Sequence, residues 1–309
     1  MMLTSFFRKS KPIHFLLVGI LMTVFFCIDN FFLINDKLDF IAILKNVAYL
    51  LVYLGLMLII NFIVKRSGVT KRNTFTIILF ALFSLSFVTV LQAEQLLLSA
   101  FFLLLALRRI ISLQTGMHQK QKIFDTTFWL GIATILYPPC AIFLLIPFVG
   151  ILFYTAENVK TWLIPFVALT CVFILNTAVQ LLLKNQFFEL SDLSFTPALQ
   201  FDLYRKLEIL IPLSVLLTFS LWTLFNYLNQ TQKSIKKQKK GRYLVFVTWM
   251  LSILVVAASP QNSGAEILFY ILPVSIIGAS YFEQKGEKWF KEILLISLVF
   301  MSLCLPFLV

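Results

Sequence analysis

Apolar residues in this chain run in long blocks, and each block ends in Lys and Arg on one side and in acids or no charge on the other. A hydrocarbon core about 30 Å thick takes roughly 20 apolar residues per helix. On that ruler the blocks predict eleven membrane-spanning helices, at about 13–34, 41–64, 74–92, 95–113, 124–137, 139–155, 161–183, 207–228, 243–259, 264–282 and 290–308. The expected fold class is therefore an all-α polytopic bundle. It forms a single integral membrane domain over 1–309 with no soluble domain, and the first block reads as an uncleaved anchor.

Charge orients the spans. With the N-terminus in the cytoplasm, the inner segments hold 21 of the 26 Lys and Arg residues, and the outer segments hold Lys37, Lys45, Lys184, Arg205 and Lys206. That asymmetry satisfies the positive-inside rule and predicts a C-terminus outside. It also decides how to read 124–155. One helix there would measure roughly 46 Å, and it would put the basic run at 233–242 on the wrong side. Pro138-Pro139 interrupts a helix in any case. Two short spans joined by a hairpin with Pro-Pro at its outer tip are expected, packed against protein or crossing where the membrane is thin.

Composition agrees. The chain is 60% hydrophobic and 13% charged, against about a quarter charged in soluble domains. Its net charge of +12 does not point to nucleic acid, because the cations sit in short connectors between apolar blocks. The four Cys lie within apolar blocks without metal-type spacing, and the two His are far apart, so no His/Cys metal site is expected. The 34 Phe read as packing residues. In the outer connector at 184–206, Phe alternates with acids, a pattern suited to lying in the membrane interface.

Candidate chemistry follows from the acids. Nine of the 14 fall on the outer side: Asp29, Asp36, Asp39, Glu94, Glu189, Asp192, Asp202, Glu208 and Glu266. Acids are weakly constrained by the positive-inside rule and gather outside by default. If some converge over the outer mouth of the bundle, they can hold a divalent metal ion or act as a base on a hydroxyl. Glu94, fixed in a tight turn, and the pair Asp36 and Asp39 are the choices for such a site. Asn61, Asn176, Gln180 and Asn226 lie within spans, where interhelical hydrogen bonding is expected. Arg108-Arg109 read as interface anchors, with a lipid phosphate as the alternative partner. The basic run Lys233, Lys236, Lys237, Lys239, Lys240 and Arg242 suits docking of anionic lipid or of an acidic membrane partner. No P-loop, dinucleotide turn, zinc-protease motif or nucleophile elbow is present in the sequence.

One stretch has a recognisable layout. Glu94 in an outer turn precedes a span ending in Arg108-Arg109. A short basic loop leads to Phe124-Asp125, then Trp129-Leu130-Gly131, then Tyr137-Pro138-Pro139 and Pro147. Residues 90–165 thus resemble the central membrane core of the GT-C superfamily, polytopic glycosyltransferases that use polyprenyl-phosphate sugars. The whole chain is also similar to a family of bacterial polytopic inner-membrane proteins carrying Ala-Leu-Arg-Arg (106–109) and Lys-Ile-Phe-Asp (122–125), a family with no assigned activity. The GT-C resemblance implies sugar transfer from a polyprenyl-phosphate donor at the outer face of a bacterial inner membrane. It would place Asp36, Asp39 and Glu94 around the reacting sugar phosphate and give the phosphate to Arg205 or Lys206. Two other readings stay open. One is a non-catalytic subunit that scaffolds a membrane protein partner, favoured by the short outer loops. The other is a transporter of lipid or small molecules, disfavoured by the lack of internal repeats and of mid-span charge.

Overall fold

The computed structural model describes residues 3–32, 40–70, 73–188, 204, 206–260, 263–284, 286 and 288–308. Among these, every regular element is helical. A short α1 (Leu3–Phe7) precedes α2 (Pro12–Cys27), whose last residues run on into a π-turn at Ile28–Phe32. There follow α3 (Phe40–Ser67), α4 (Phe75–Leu85), α5 (Val88–Gln92), α6 (Glu94–Ile111) and α7 (Gln119–Leu136). After a 3₁₀ stretch at Pro138–Leu144 come α8 (Leu145–Tyr154), α9 (Val159–Trp162) and α10 (Ile164–Lys184). The chain closes with α11 (Leu207–Lys233), α12 (Lys236–Ala257), α13 (Ile267–Phe282) and α14 (Lys288–Leu308).

The expected spans at 74–92 and 139–155 are each divided, into α4 and α5 and into the 3₁₀ stretch and α8. Among the described residues, six helices are long and apolar enough to cross a membrane unaided: Pro12–Asn30, Phe40–Ser67, Glu94–Thr115, Val159–Lys184, Leu207–Lys233 and Gln238–Ala257. Large apolar side chains stand exposed along them, among them Ile20 on α2, Leu51 on α3, Ile174 and Leu182 on α10, and Phe225 on α11. Water would not tolerate such apolar faces, and a bilayer would. The chain reads as a helical membrane protein.

Two short helices lie at the other extreme. All residues of α4 and α13 are buried. Their sequences are apolar all round, as a helix enclosed by other helices requires. They pack on each other and on α11, with Phe75 stacked on Phe282 at 5.2 Å and Phe83 against Phe219 at 5.2 Å. Gly278 lets α11 approach: a Cβ there would lie 2.6 Å from Phe219. With only 11 residues, α4 is about 16 Å long, too short to cross alone, and its burial removes the need for a lipid-facing surface.

The chain reverses after α7. Leu136 ends that helix, Tyr137 is extended, and Pro138-Pro139 start the 3₁₀ turn. Gly150 on α8 then lies against Ile110 and Leu113, beside the end of α6 from which the chain passes into α7. The prolines remove the amide donors that would continue the helix. On its other side α7 meets α10, where Gly131 faces Val172.

Polar contacts gather in two layers at opposite ends of the bundle. One contains Lys65 with Ser10, Gln114 with Ser67, Asn73 with Glu283, Gln230 with Ser280, and Thr4 with Glu292. We call this the cation-rich end. The other contains Asn30 with Leu91, Lys45 with Glu94, and Ser259 with Glu266. This is the acid-bearing end. Within spans, interhelical bonds come from hydroxyls more than from the expected amides. Tyr53 meets Ser84 at 2.5 Å and Ser220 meets Tyr270 at 2.5 Å, whereas Asn226 donates to Trp222 in its own helix.

Candidate functional site at the acid-bearing end

The sequence of α2 is apolar from Ile13 to Ile28 except for His14 and Thr23, and then meets Asp29-Asn30. The helix widens there into the π-turn, a rare geometry that recurs at functional sites. Asp29 is 3% exposed, and its Oδ2 has no hydrogen-bond partner. Beside it, Asn30 Nδ2 donates to the Phe26 carbonyl at 3.1 Å and to the Leu91 carbonyl at 3.5 Å. Asn46 Nδ2 on α3 donates to the Asn30 carbonyl at 3.5 Å. One helical step away, Lys45 Nζ lies 2.6 Å from Glu94 Oε2. The ends of α2, α3, α5 and α6 thus meet in one polar cluster. It holds two carboxylates, two amides and one ammonium.

The expected site residues divide sharply. Glu94 stands in this cluster, half-exposed and neutralised by Lys45. Asp36, Asp39 and Arg205 lie outside the described residues, as does most of the connector at 184–206. Lys206 is exposed at the start of α11, where its carbonyl accepts from the amides of Ile209 and Leu210. Gly264 touches both Ile209 and Thr89, which puts the start of α11 at the same end as Glu94.

Sequence reasoning passed over Asp29 as a choice, and also Glu266. Glu266 is 1% exposed. Its Oε1 accepts from Ser259 Oγ at 2.6 Å, Ser263 N at 3.0 Å and Ser263 Oγ at 3.0 Å, while Oε2 has no partner. Tyr137 donates to Ser259 at 2.9 Å, so the Pro-Pro tip is tied to the turn before α13. An apolar cavity of about 290 Å³ lies alongside, lined by Tyr204, Leu213, Leu217, Ile253, Val256 and Tyr270 among others. Both acids lie against an apolar block, as the half-exposed Glu94 also does, so their burial is set by packing and not by a sequence signal.

At the cation-rich end the basic run is not one surface. Lys233 and Lys240 are exposed, and Lys239 is half-buried. Lys240 donates to the Phe153 carbonyl at the end of α8, where the helix dipole favours a cation. Arg242 is 8% exposed. The side chains of Lys236 and Lys237 lie outside the described residues. Arg109 pairs with Asp125 at 3.1 Å, and Arg108 lies over Phe62. Among the described residues, no three His, Cys, Asp or Glu side chains cluster as a metal site would require.

No curated protein and no solved structure matches this chain. One family model does, over residues 2–308, and the chain belongs to that family, the family of unknown function DUF6427.

Proposed function

We propose that the protein crosses the inner membrane of a bacterium eleven times, N-terminus inside and C-terminus outside, and transfers a sugar from a polyprenyl-phosphate donor at the outer face. The cation distribution supports the orientation. The observation that carries the activity is Asp29: a buried carboxylate, one oxygen unpartnered, in a π-turn at the acid-bearing end. A carboxylate so placed can accept the proton of an acceptor hydroxyl as the glycosidic bond forms. Asp36 and Asp39 follow it within ten residues of sequence and would complete the acidic mouth, as base or as ligands of a divalent metal ion. Glu94 supports the site by fixing Lys45, whose ammonium, with Arg205 and Lys206, would face the donor phosphate. The likeness of 90–165 to the GT-C core supports the same reading.

The test is transfer from polyprenyl-phosphate sugars in proteoliposomes. Asp29→Asn should lower the rate by about 100-fold or more, and the triple change of Asp36 and Asp39 to Asn with Glu94 to Gln should abolish it. Full retention by both variants would overturn the proposal. A second reading, a scaffold for a membrane partner, draws on the Lys45–Glu94 pair, which already satisfies the one expected acid in view. Stoichiometric co-purification of a partner, whose activity survives both variants, would favour it.

A further inference from the structure

The opposite end of the bundle contains a second polar site. A cavity of about 520 Å³ opens where α3, α11, α12 and α13 end or begin, lined by Lys65, Gln230, Gln238, Arg242, Glu283 and Gln284 among others. Gly68, with φ +66°, turns the chain away at its edge, and the Gln238 amide packs where a Cβ would stand. A neighbouring cavity of about 450 Å³ shares Glu283 and Gln284 and adds Arg8, Lys288 and Lys291. Among the described residues the two walls together carry five cations and one acid, and that acid accepts a hydrogen bond from Asn73.

Arg242 is the informative residue. It is buried, and its guanidinium is held in place: Nη1 donates to Gln230 Oε1 at 3.2 Å, and the group lies 5.5 Å from the centre of the Tyr227 ring. The Tyr227 hydroxyl donates to the Arg242 carbonyl at 3.0 Å, which fixes the backbone as well. Its Nε nonetheless has no acceptor. A buried, charged donor without a partner is costly, and the guanidinium that carries it belongs to a residue lining the cavity. A phosphate in the cavity would offset that charge, since guanidinium geometry matches phosphate, and Lys65, which also donates to Ser10, adds a second cation.

We propose that this cavity binds a phosphate group, carried by an anionic lipid headgroup or by a soluble phosphate, with Arg242 and Lys65 as its main partners. The site lies at the far end of the bundle from Asp29, so it stands whether or not sugar transfer does.

The test uses the full-length protein in detergent, titrated by calorimetry with inorganic phosphate and, separately, with short-chain phosphatidylglycerol, using short-chain phosphatidylcholine as control. Saturable binding of phosphatidylglycerol alone identifies a headgroup site, and saturable binding of inorganic phosphate identifies a soluble ligand. In either case Arg242→Gln should abolish binding. Gln238→Glu, nearly isosteric and at the cavity edge, should weaken it at least tenfold, while Lys184→Gln, exposed at the end of α10, should leave it unchanged. If Arg242→Gln does not fold, Gln238→Glu decides. Absence of saturable binding to both probes, or binding that Gln238→Glu leaves intact, overturns the proposal.

Discussion

The two ends of the bundle use their charge in opposite ways. At the cation-rich end, polar side chains fasten segments far apart in sequence: Thr4 to Glu292, Asn73 to Glu283, Gln230 to Ser280, Gln114 to Ser67. At the acid-bearing end, two carboxylates, Asp29 and Glu266, are buried with one oxygen each left without a partner. Cations set the orientation of a polytopic chain and must stay near the interface, so a buried and incompletely bonded cation such as Arg242 has a topological reason to be at that end. Acids are exempt from that rule. A buried, incompletely bonded carboxylate therefore has no topological reason to exist, and it costs stability.

This contrast leads to the largest expected effect. Asp29→Asn should cut transfer by about 100-fold, yet leave the protein as stable as before or more so. Removing a poorly compensated buried charge is worth on the order of 1–3 kcal/mol. Transfer assays and melting in detergent on the same preparation check both halves. A loss of stability that parallels the loss of activity would mean that Asp29 belongs to the fold after all, and the contrast between the two ends would collapse.

Glu266 gives a smaller effect and a sharper distinction. Ser259 bridges it to Tyr137, so Ser259→Ala removes one donor from the carboxylate and strands the tyrosine hydroxyl. That change should destabilise by about 1–3 kcal/mol. Glu266→Gln keeps an acceptor for Ser259 and Ser263 and sheds the charge, so it should cost less than Ser259→Ala. The comparison of the two melting curves decides whether Glu266 is tolerated as a charge or needed as one.

What the sequence disclosed follows the same physics. Long apolar blocks announced their helices, and Pro138-Pro139 announced the reversal that sets Gly150 against Ile110, because both signals are local. Burial is not local. Nothing in the apolar run of α4 distinguishes it from that of α10. Yet the first is wholly enclosed and the second buries only Pro165, Ala168 and Val172, since lipid and protein are equally good neighbours for Leu and Phe. The same blindness hid the site. Glu94 looked constrained because its turn is tight, but a neighbour three-dimensionally close, Lys45, neutralises it. Asp29 looked like one more acid at a block's end, and only the π-turn and its packing set it apart. Arg242 was one of six cations in a run, and its inward orientation is a property of the assembled helices.

The smallest effect is expected at two ion pairs among the described residues, one at each end: Lys45 with Glu94 and Arg109 with Asp125. In both, each partner is about a third exposed or more, so water and salt screen the attraction and side-chain ordering offsets much of what remains. A double-substitution cycle on either pair, read by melting in detergent, should give a coupling that is small at low salt and vanishes at high salt. The pairs should differ in what else they move. Arg109 and Asp125 join the end of α6 to the start of α7 within a basic loop, and neutralising both should leave transfer unchanged. On the proposed function, neutralising Lys45 and Glu94 together should slow transfer more than it changes stability, because that proposal gives the ammonium to the donor phosphate. If the two double variants behave alike in the transfer assay, the acid-bearing end has no special claim to the chemistry, and Glu94 is an anchor like Arg109.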